Sequence, residues 1–234
     1  MKFRSLFTAV PMFLLCAFTL GAQDFQTSFA KGKWNRKDFL MVKSPRLDYM
    51  GIMLQGEDHI YNKTPDLPDD VIFRKHCSEV YAALVLNRKY SGNAVISSKM
   101  SFDHRMAPLI VIAPELGLSK KRQPEFREHF EIVLYDEGIN VWHHTYKDGT
   151  PQWHLAASLY AKFQPKQVYD LRVELRYSKD GGGRMTVTCN GQRLRYEEHH
   201  LPRDWYAGII ACEGRNRFYD FKVFQKNRKK TPGK

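Results

Sequence analysis

The 234-residue chain lacks the short signatures that assign common chemistries at sight. It has no HExxH, no Walker-type phosphate loop, no GxSxG elbow and no glycine-rich dinucleotide fingerprint, so the motif-borne metalloprotease, P-loop, serine-hydrolase and Rossmann readings fall away. It has no heptads, no repeat of 20 to 50 residues and no low-complexity linker between residues 24 and 225, which argues against a coiled coil, a solenoid or an internal domain boundary. Cysteine is scarce, with four in all. Cys16 lies in an N-terminal apolar run, and Cys77, Cys189 and Cys212 are widely spaced with no CxxC, which excludes a zinc finger and a disulfide framework. At most one bridge can form, and Cys189 and Cys212 read better as buried free thiols, each in a strand-like segment. The stretch Pro65-Asp-Leu-Pro-Asp-Asp70 lacks the ordered acids and glycine of a calcium loop. No metal site and no cofactor is expected.

Only one stretch lacks charge over any length. Lys2 and Arg4 precede an apolar run from Leu6 to Leu20, and Leu20-Gly21-Ala22 sets small residues at its end. This is the pattern of an export signal over residues 1–22, too short for a comfortable span and not followed by a stop-transfer cluster. Cleavage there leaves one domain, 23–225, and a basic flexible tail, 226–234. The expected address is periplasmic or extracellular, with no stable membrane insertion after signal cleavage.

The formal charge of +12 would ordinarily suggest nucleic acid. Two of those charges leave with Lys2 and Arg4, and five belong to Lys226, Arg228, Lys229, Lys230 and Lys234, so residues 23–225 carry only +5. The aromatics do not interleave with basic residues as in a recognition module. No nucleic acid partner is expected, whereas a polysaccharide or oligosaccharide, acidic ones included, remains compatible.

What the chain does have is a succession of short alternating runs ended by Gly, Asn, Asp or Pro. They cover 38–42, 47–54, 80–86, 94–102, 109–113, 130–135, 140–146, 153–160, 169–177, 184–189, 193–196, 206–211 and 218–224. About a dozen strands so spaced predict an all-β fold, a two-sheet antiparallel jelly-roll sandwich. Asn190-Gly191 supplies the positive-φ pair of a tight hairpin. Helix is confined to a turn or two in 65–70 and 114–128.

The order of Phe130-Glu-Ile-Val-Leu-Tyr135, Asn140-Val-Trp-His-His144, Lys147-Asp148-Gly149, Tyr169-Asp-Leu-Arg-Val-Glu-Leu175, Met185-Thr-Val-Thr-Cys-Asn-Gly191, Ala207-Gly-Ile-Ile-Ala211 and Phe218-Tyr-Asp-Phe-Lys-Val223 resembles the concanavalin A-like lectin/glucanase superfamily. The resemblance covers roughly residues 75 to 225 and implies a jelly roll with a glycan-holding sheet. Members include glycoside hydrolases, polysaccharide lyases and non-catalytic binding modules, so fold alone does not choose among them. The laminarinase-like branch sets acids at alternate positions, where this chain has Val133 and Tyr135. The bacterial 3-keto-disaccharide hydrolase-like branch has a pattern similar to E-x-Q-x-x-D. Glu131 and Asp136 match its ends and Val133 departs from it.

The residues themselves point to one hairpin. Alternation sets Phe130, Ile132 and Leu134 toward a core, and His129, Glu131, Val133 and Tyr135 on an exposed face. A two-residue turn at Glu137-Gly138 would place Glu131 opposite His144, and a bulge would substitute His143. The candidate catalytic residues are therefore Glu131, His144 and Tyr135, with His129, Trp142, His143, Tyr146 and His154 as substrate-binding candidates. Aromatic rings stack on sugar faces, while carboxylate and imidazole bind hydroxyls or move protons. A plain cross-strand pair on a solvated face, worth only about 0.2–1 kcal/mol, is the competing reading.

A retaining hydrolase needs two carboxylates, whereas a lyase needs a cation and a Tyr or His base. Arg105, Arg127 and Arg176 are the candidate cations, and Ser119-Lys-Lys-Arg-Gln-Pro124 is a candidate basic rim. Degradation of a glycan is the favoured function and a non-catalytic, lectin-like module the alternative.

Overall fold

A computed structural model describes residues 24–65, 68, 71, 80–198 and 201–226. The signal segment 1–22, Cys77, most of 65–70 and the tail beyond Lys226 lie outside the described residues. Two large antiparallel sheets form a sandwich. The nine-stranded sheet runs β16 (Gln192–Glu198), β15 (Gly183–Cys189), β14 (Tyr169–Tyr177), β7 (Ala94–Phe102), β18 (Asn216–Phe218), β4 (Ile60–Asn62) and β3 (Met53–Gln55). Strand β19 (Asp220–Gln225) also joins β7 and carries β1 (Phe25–Ser28) on its other side. The eight-stranded sheet runs β13 (Thr150–Tyr160), β12 (Gly138–Lys147), β11 (His129–Tyr135), β8 (Pro108–Ala113), β17 (Asp204–Ala211), β5 (Ala82–Leu86) and β2 (Phe39–Val42). Strand β6 (Tyr90–Ser91) also pairs with β17. A separate hairpin joins β9 (Leu116–Leu118) to β10 (Pro124–Phe126).

The core between the sheets is built from alternate residues of each strand. Phe130, Ile132 and Leu134 of β11 meet Leu171, Val173 and Leu175 of β14, with Phe102, Phe218 and Phe221 in the same cluster. Trp205 stacks on Tyr90 at 5.2 Å. Each such side chain contributes about 1.5–3 kcal/mol on full burial, which fixes the register because a one-residue slip would turn every one of them outward. Asn190 and Gly191 both have positive φ, 48° and 77°, between Cys189 and Gln192, as the tight hairpin requires. Cys189 and Cys212 are both buried and are not bridged to each other, and burial pushes the Cys189 thiol up to about 12.

Several expectations change. Of 47–54, only Met53 and Leu54 are strand, as part of β3, and residues 47–52 are bends and irregular backbone. The 114–128 segment forms the β9–β10 hairpin instead of a helical turn. Gly117 and Pro124 disfavour helix there, Ser119 O accepts from Arg122 N at 2.9 Å, and Arg122 takes φ 58°. The 218–224 run breaks at Tyr219 into β18 and β19.

The β11–β12 turn is Asp136-Glu137, and Gly138 opens β12 opposite Tyr135. Gly138 answers a close approach: a Cβ there would lie 2.0 Å from Leu159 O on β13. The turn therefore sits one residue earlier than the sequence suggests, and the pairing slips by two.

Candidate active site on the outer face of the eight-stranded sheet

That slip places Glu131 opposite Trp142, and His129 opposite His144. Because the displacement is an even number, the faces are preserved, and His129, Glu131, Trp142 and His144 share the side turned away from the other sheet. A bulge between β12 and β13 then sets Trp153 opposite His144.

This outer face is covered, where the alternation predicts solvent. His129 is 2%, Glu131 5% and His144 6% exposed. Val111, Val133, Leu109 and Ile210 form a second apolar cluster beside them, capped by Phe126 of β10. The cover is latched by the backbone of Lys43: its N–H donates to Pro124 O at 2.8 Å, and its carbonyl accepts from Phe126 N at 3.0 Å. Buried charges need partners, and here they have them.

Glu131 is engaged through both oxygens. Tyr81 Oη donates to Oε1 at 2.6 Å, His129 Nε2 lies 3.2 Å from the same oxygen, and His144 Nε2 lies 3.2 Å from Oε2. Burial alone would raise the Glu131 carboxyl, but the charge of His144 and the hydrogen bonds from both histidines reverse this and hold it well below the usual carboxylate range. Burial dominates at His129 and lowers its imidazole despite Glu131. A neutral His129 ring has one N–H to share between Glu131 and the Arg127 carbonyl, 3.1 Å from Nδ1. Burial, and then the Glu131 charge, raise the Tyr81 phenol well above its ordinary value, which keeps it a donor.

Phe126, His129, His144 and Trp153 form a column of stacked rings at 4.6, 4.5 and 6.2 Å. His129, Glu131 and His144 are the one group among the described residues with the composition of a metal site, their ligand atoms within 4.8 Å of one another. The two imidazoles are inclined by only 14°. Their Nε2 atoms lie 3.2 Å from different oxygens of the one carboxylate. That suits a carboxylate clamp better than the converging lone pairs of a tetrahedral ion.

A cleft of about 300 Å³ opens above Glu131 and His144, with Tyr135, Trp142, Trp153 and Arg46 on its walls. Arg46 lies over the Trp153 ring at 5.2 Å. Glu131, His144, Tyr135 and Trp142 thus come together as the hairpin pattern suggests, with His129 beneath them.

Three substrate-binding candidates do not join this cleft. His143 and His154 face the other way, since each sits one residue out of phase. His143 stacks on Phe130 at 4.2 Å, its Nε2 lies 2.9 Å from Glu128, and His154 meets its edge at 5.3 Å. Tyr146 shares the right face but lies further along β12, beneath Arg127 at 4.6 Å. Of the candidate cations, Arg105 pairs with Asp136, Arg127 with Glu125, and Arg176 with Glu174 in the other sheet.

The sequence reading misses Tyr81, Arg46 and Trp153. Trp153 was recoverable from the register of β13. Tyr81 and Arg46 are brought in from segments 50 or more residues away, for which no local signal exists.

No protein-family model matches the chain, and no curated protein matches its sequence. Solved structures do match. A carbohydrate-binding module, CBM66 from Bacillus subtilis, superposes with a TM-score of 0.55 at 7% identity, over 80% of this chain and 96% of that one. A legume lectin-like domain from Entamoeba histolytica gives 0.55 at 12%, over 86% and 97%. The chain has a concanavalin A-like jelly-roll fold. The kappa-carrageenase from Pseudoalteromonas carrageenovora, solved with an oligotetrasaccharide of kappa-carrageenan, has the same jelly roll at a TM-score of 0.50 and 7% identity, over 91% and 100%. This likeness shows architecture, and the cleft must speak for the chemistry. No helix among the described residues is long and apolar enough to cross a membrane.

Proposed function

We propose that the protein is an exported carbohydrate-active enzyme, periplasmic or extracellular, which cleaves a uronate-containing glycan by β-elimination at the cleft above His144. The supporting observation is the engagement of both Glu131 oxygens by Tyr81, His129 and His144. A carboxylate so held positions an imidazole; to act as the nucleophile of a two-carboxylate hydrolase it would have to leave three partners.

In this reading His144 removes the proton α to the uronate carboxylate. The electron pair forms the C4–C5 double bond, the C4–O bond breaks, and the departing oxygen takes up a proton from the His144 imidazolium, which returns the base to its neutral form. Arg46 offsets the charge that develops on the carboxylate, and Trp142 and Trp153 hold sugar faces. Glu131 is then a positioning residue, fixed by Tyr81 and His129.

Digestion of polyuronates by the purified protein should generate unsaturated ends that absorb in the ultraviolet, with His144→Ala reducing the initial rate by about 10²–10⁴-fold while circular dichroism stays unchanged. New reducing ends without that absorbance would replace elimination by hydrolysis. A second reading, a non-catalytic binding module, draws on the same burial of Glu131 as a purely structural cluster. It predicts glycan affinity with no new ends.

A further inference from the structure

A second cleft, of about 340 Å³, opens on the same outer face. Lys43, Lys120, Lys121 and Arg127 line it together with Tyr146, against Asp48 and Glu125, a formal surplus of two positive charges. Glu125 is 6% exposed and already serves two of the cations: Lys43 Nζ lies 3.1 Å from Oε1, and Arg127 binds Oε2. Lys120 and Lys121 lie at the exposed tip between β9 and β10, and neither has an ion pair among the described residues. The latch through Lys43 holds β10, the strand that follows this tip, over the sheet.

The two clefts are successive stations on one strand. Trp142, His144 and Tyr146 alternate along β12 on one face, with Trp142 and His144 at the first cleft and Tyr146 at the second. His144 and Tyr146 are two residues apart, about 7 Å along a strand. A chain of sugars laid along β12 over the first cleft therefore runs on to the second.

We propose that the second cleft is an anion-accepting subsite of the same track, so that the glycan carries a carboxylate or sulfate on a unit neighbouring the one held over His144. This rests on the carbohydrate reading above and adds to it a repeated negative charge on the substrate. Tyr146 and the continuity with Trp142 and Trp153 favour a glycan over a nucleic acid, because rings spaced along one strand face suit the apolar faces of successive sugars, while Lys43, Lys120, Lys121 and Arg127 gather at the Tyr146 end and Arg46 stands over Trp153 at the other.

The test measures binding of the full chain to polygalacturonate, alginate and dextran sulfate, each beside its neutral counterpart: the carboxyl-reduced polymers and dextran. A single-stranded DNA oligonucleotide serves as a polyanion that is not a glycan. The expected result is a preference for acidic over neutral polymers that weakens with salt and falls about tenfold in Lys120→Glu/Lys121→Glu, with neutral binding and the melting temperature unchanged. Loss confined to polygalacturonate and alginate identifies carboxylate as the group taken, and loss confined to dextran sulfate identifies sulfate. Equal affinity for acidic and neutral polymers, or no effect of the charge reversal, overturns the subsite and leaves the carbohydrate reading standing. DNA bound as tightly as the acidic glycans, with the same dependence on the two lysines, overturns it in favour of a general polyanion surface. Failure to bind any polymer removes both.

Discussion

Along β14, Arg172, Glu174 and Arg176 alternate with the buried Leu171, Val173 and Leu175; along β11, His129, Glu131 and Val133 alternate with the buried Phe130, Ile132 and Leu134. The outer side chains of β14 are open to water, and their charges pair there in solvent, Glu174 with Arg176 and Lys226. Those of β11 lie beneath the β9–β10 hairpin and the turns around residues 44–49, and their charges are clamped within 3.2 Å of one another. The difference lies in what is laid over the sheet. Covering a charged face removes solvent screening, so the same residue types move from surface decoration to a coupled cluster. A cluster of that kind is where proton chemistry can be tuned.

The sharpest way to break this contrast is to remove the cover. Phe126 is fully buried between the hairpin, Tyr81 and His129. Phe126→Ala should cost about 3–5 kcal/mol in denaturant unfolding. A cost below about 1 kcal/mol would mean that the hairpin does not seal the face.

Acid should act on the covered face through two groups, His129 and Glu131, and on the solvated face through Glu174, which its hydrogen bond from Lys226 holds below the ordinary carboxylate value. His129 is held below the ordinary 6.5, so as pH falls through that value the unfolded chain takes up a proton that the native ring refuses, and stability declines. Glu131 is held below 4.5, so its contribution is complete above 4.5 and is lost as pH falls toward its lower native value. The melting temperature should therefore decrease from below neutrality and continue downward below pH 4.5, and in Glu131→Gln the decline below pH 4.5 should be shallower. Parallel curves for the two proteins would show that the fold does not lower the Glu131 carboxyl.

The smallest effect belongs to the solvated face. Arg176 is exposed and, among the described residues, pairs only with Glu174 on its own strand, so Arg176→Ala should shift unfolding by no more than about 0.5 kcal/mol.

Strand positions were legible wherever one face is buried: 94–102 and 169–177 were read to the residue, because alternating apolar side chains bound by turn residues leave little choice. The Asn190-Gly191 hairpin was legible for the same local reason. The Glu131 hairpin was legible in its faces but not in its register, since Gly138 was read as a turn glycine when a neighbouring carbonyl is what requires it. His143 and His154 were drawn to the site by proximity in sequence, although the strand period sends them to the opposite side. Tyr81, Arg46 and the covering hairpin were beyond reach of local pattern. Their positions follow from which strands become neighbours and from loops folding back, both of them long-range events. The short strands β1, β4, β6, β9 and β10 were missed because two to four residues carry too little alternation to register.

The ring column from Phe126 through His129 and His144 to Trp153 has an optical and magnetic consequence. Trp153 stands at its outer end, 49% exposed, while the imidazoles lie between aromatic planes. Ring currents displace the imidazole C–H resonances of both from their usual positions. Trp153 also lines the cleft, so its indole emission should change when a ligand lies across it. The fold thus carries its own label at the place where occupancy and protonation need to be read.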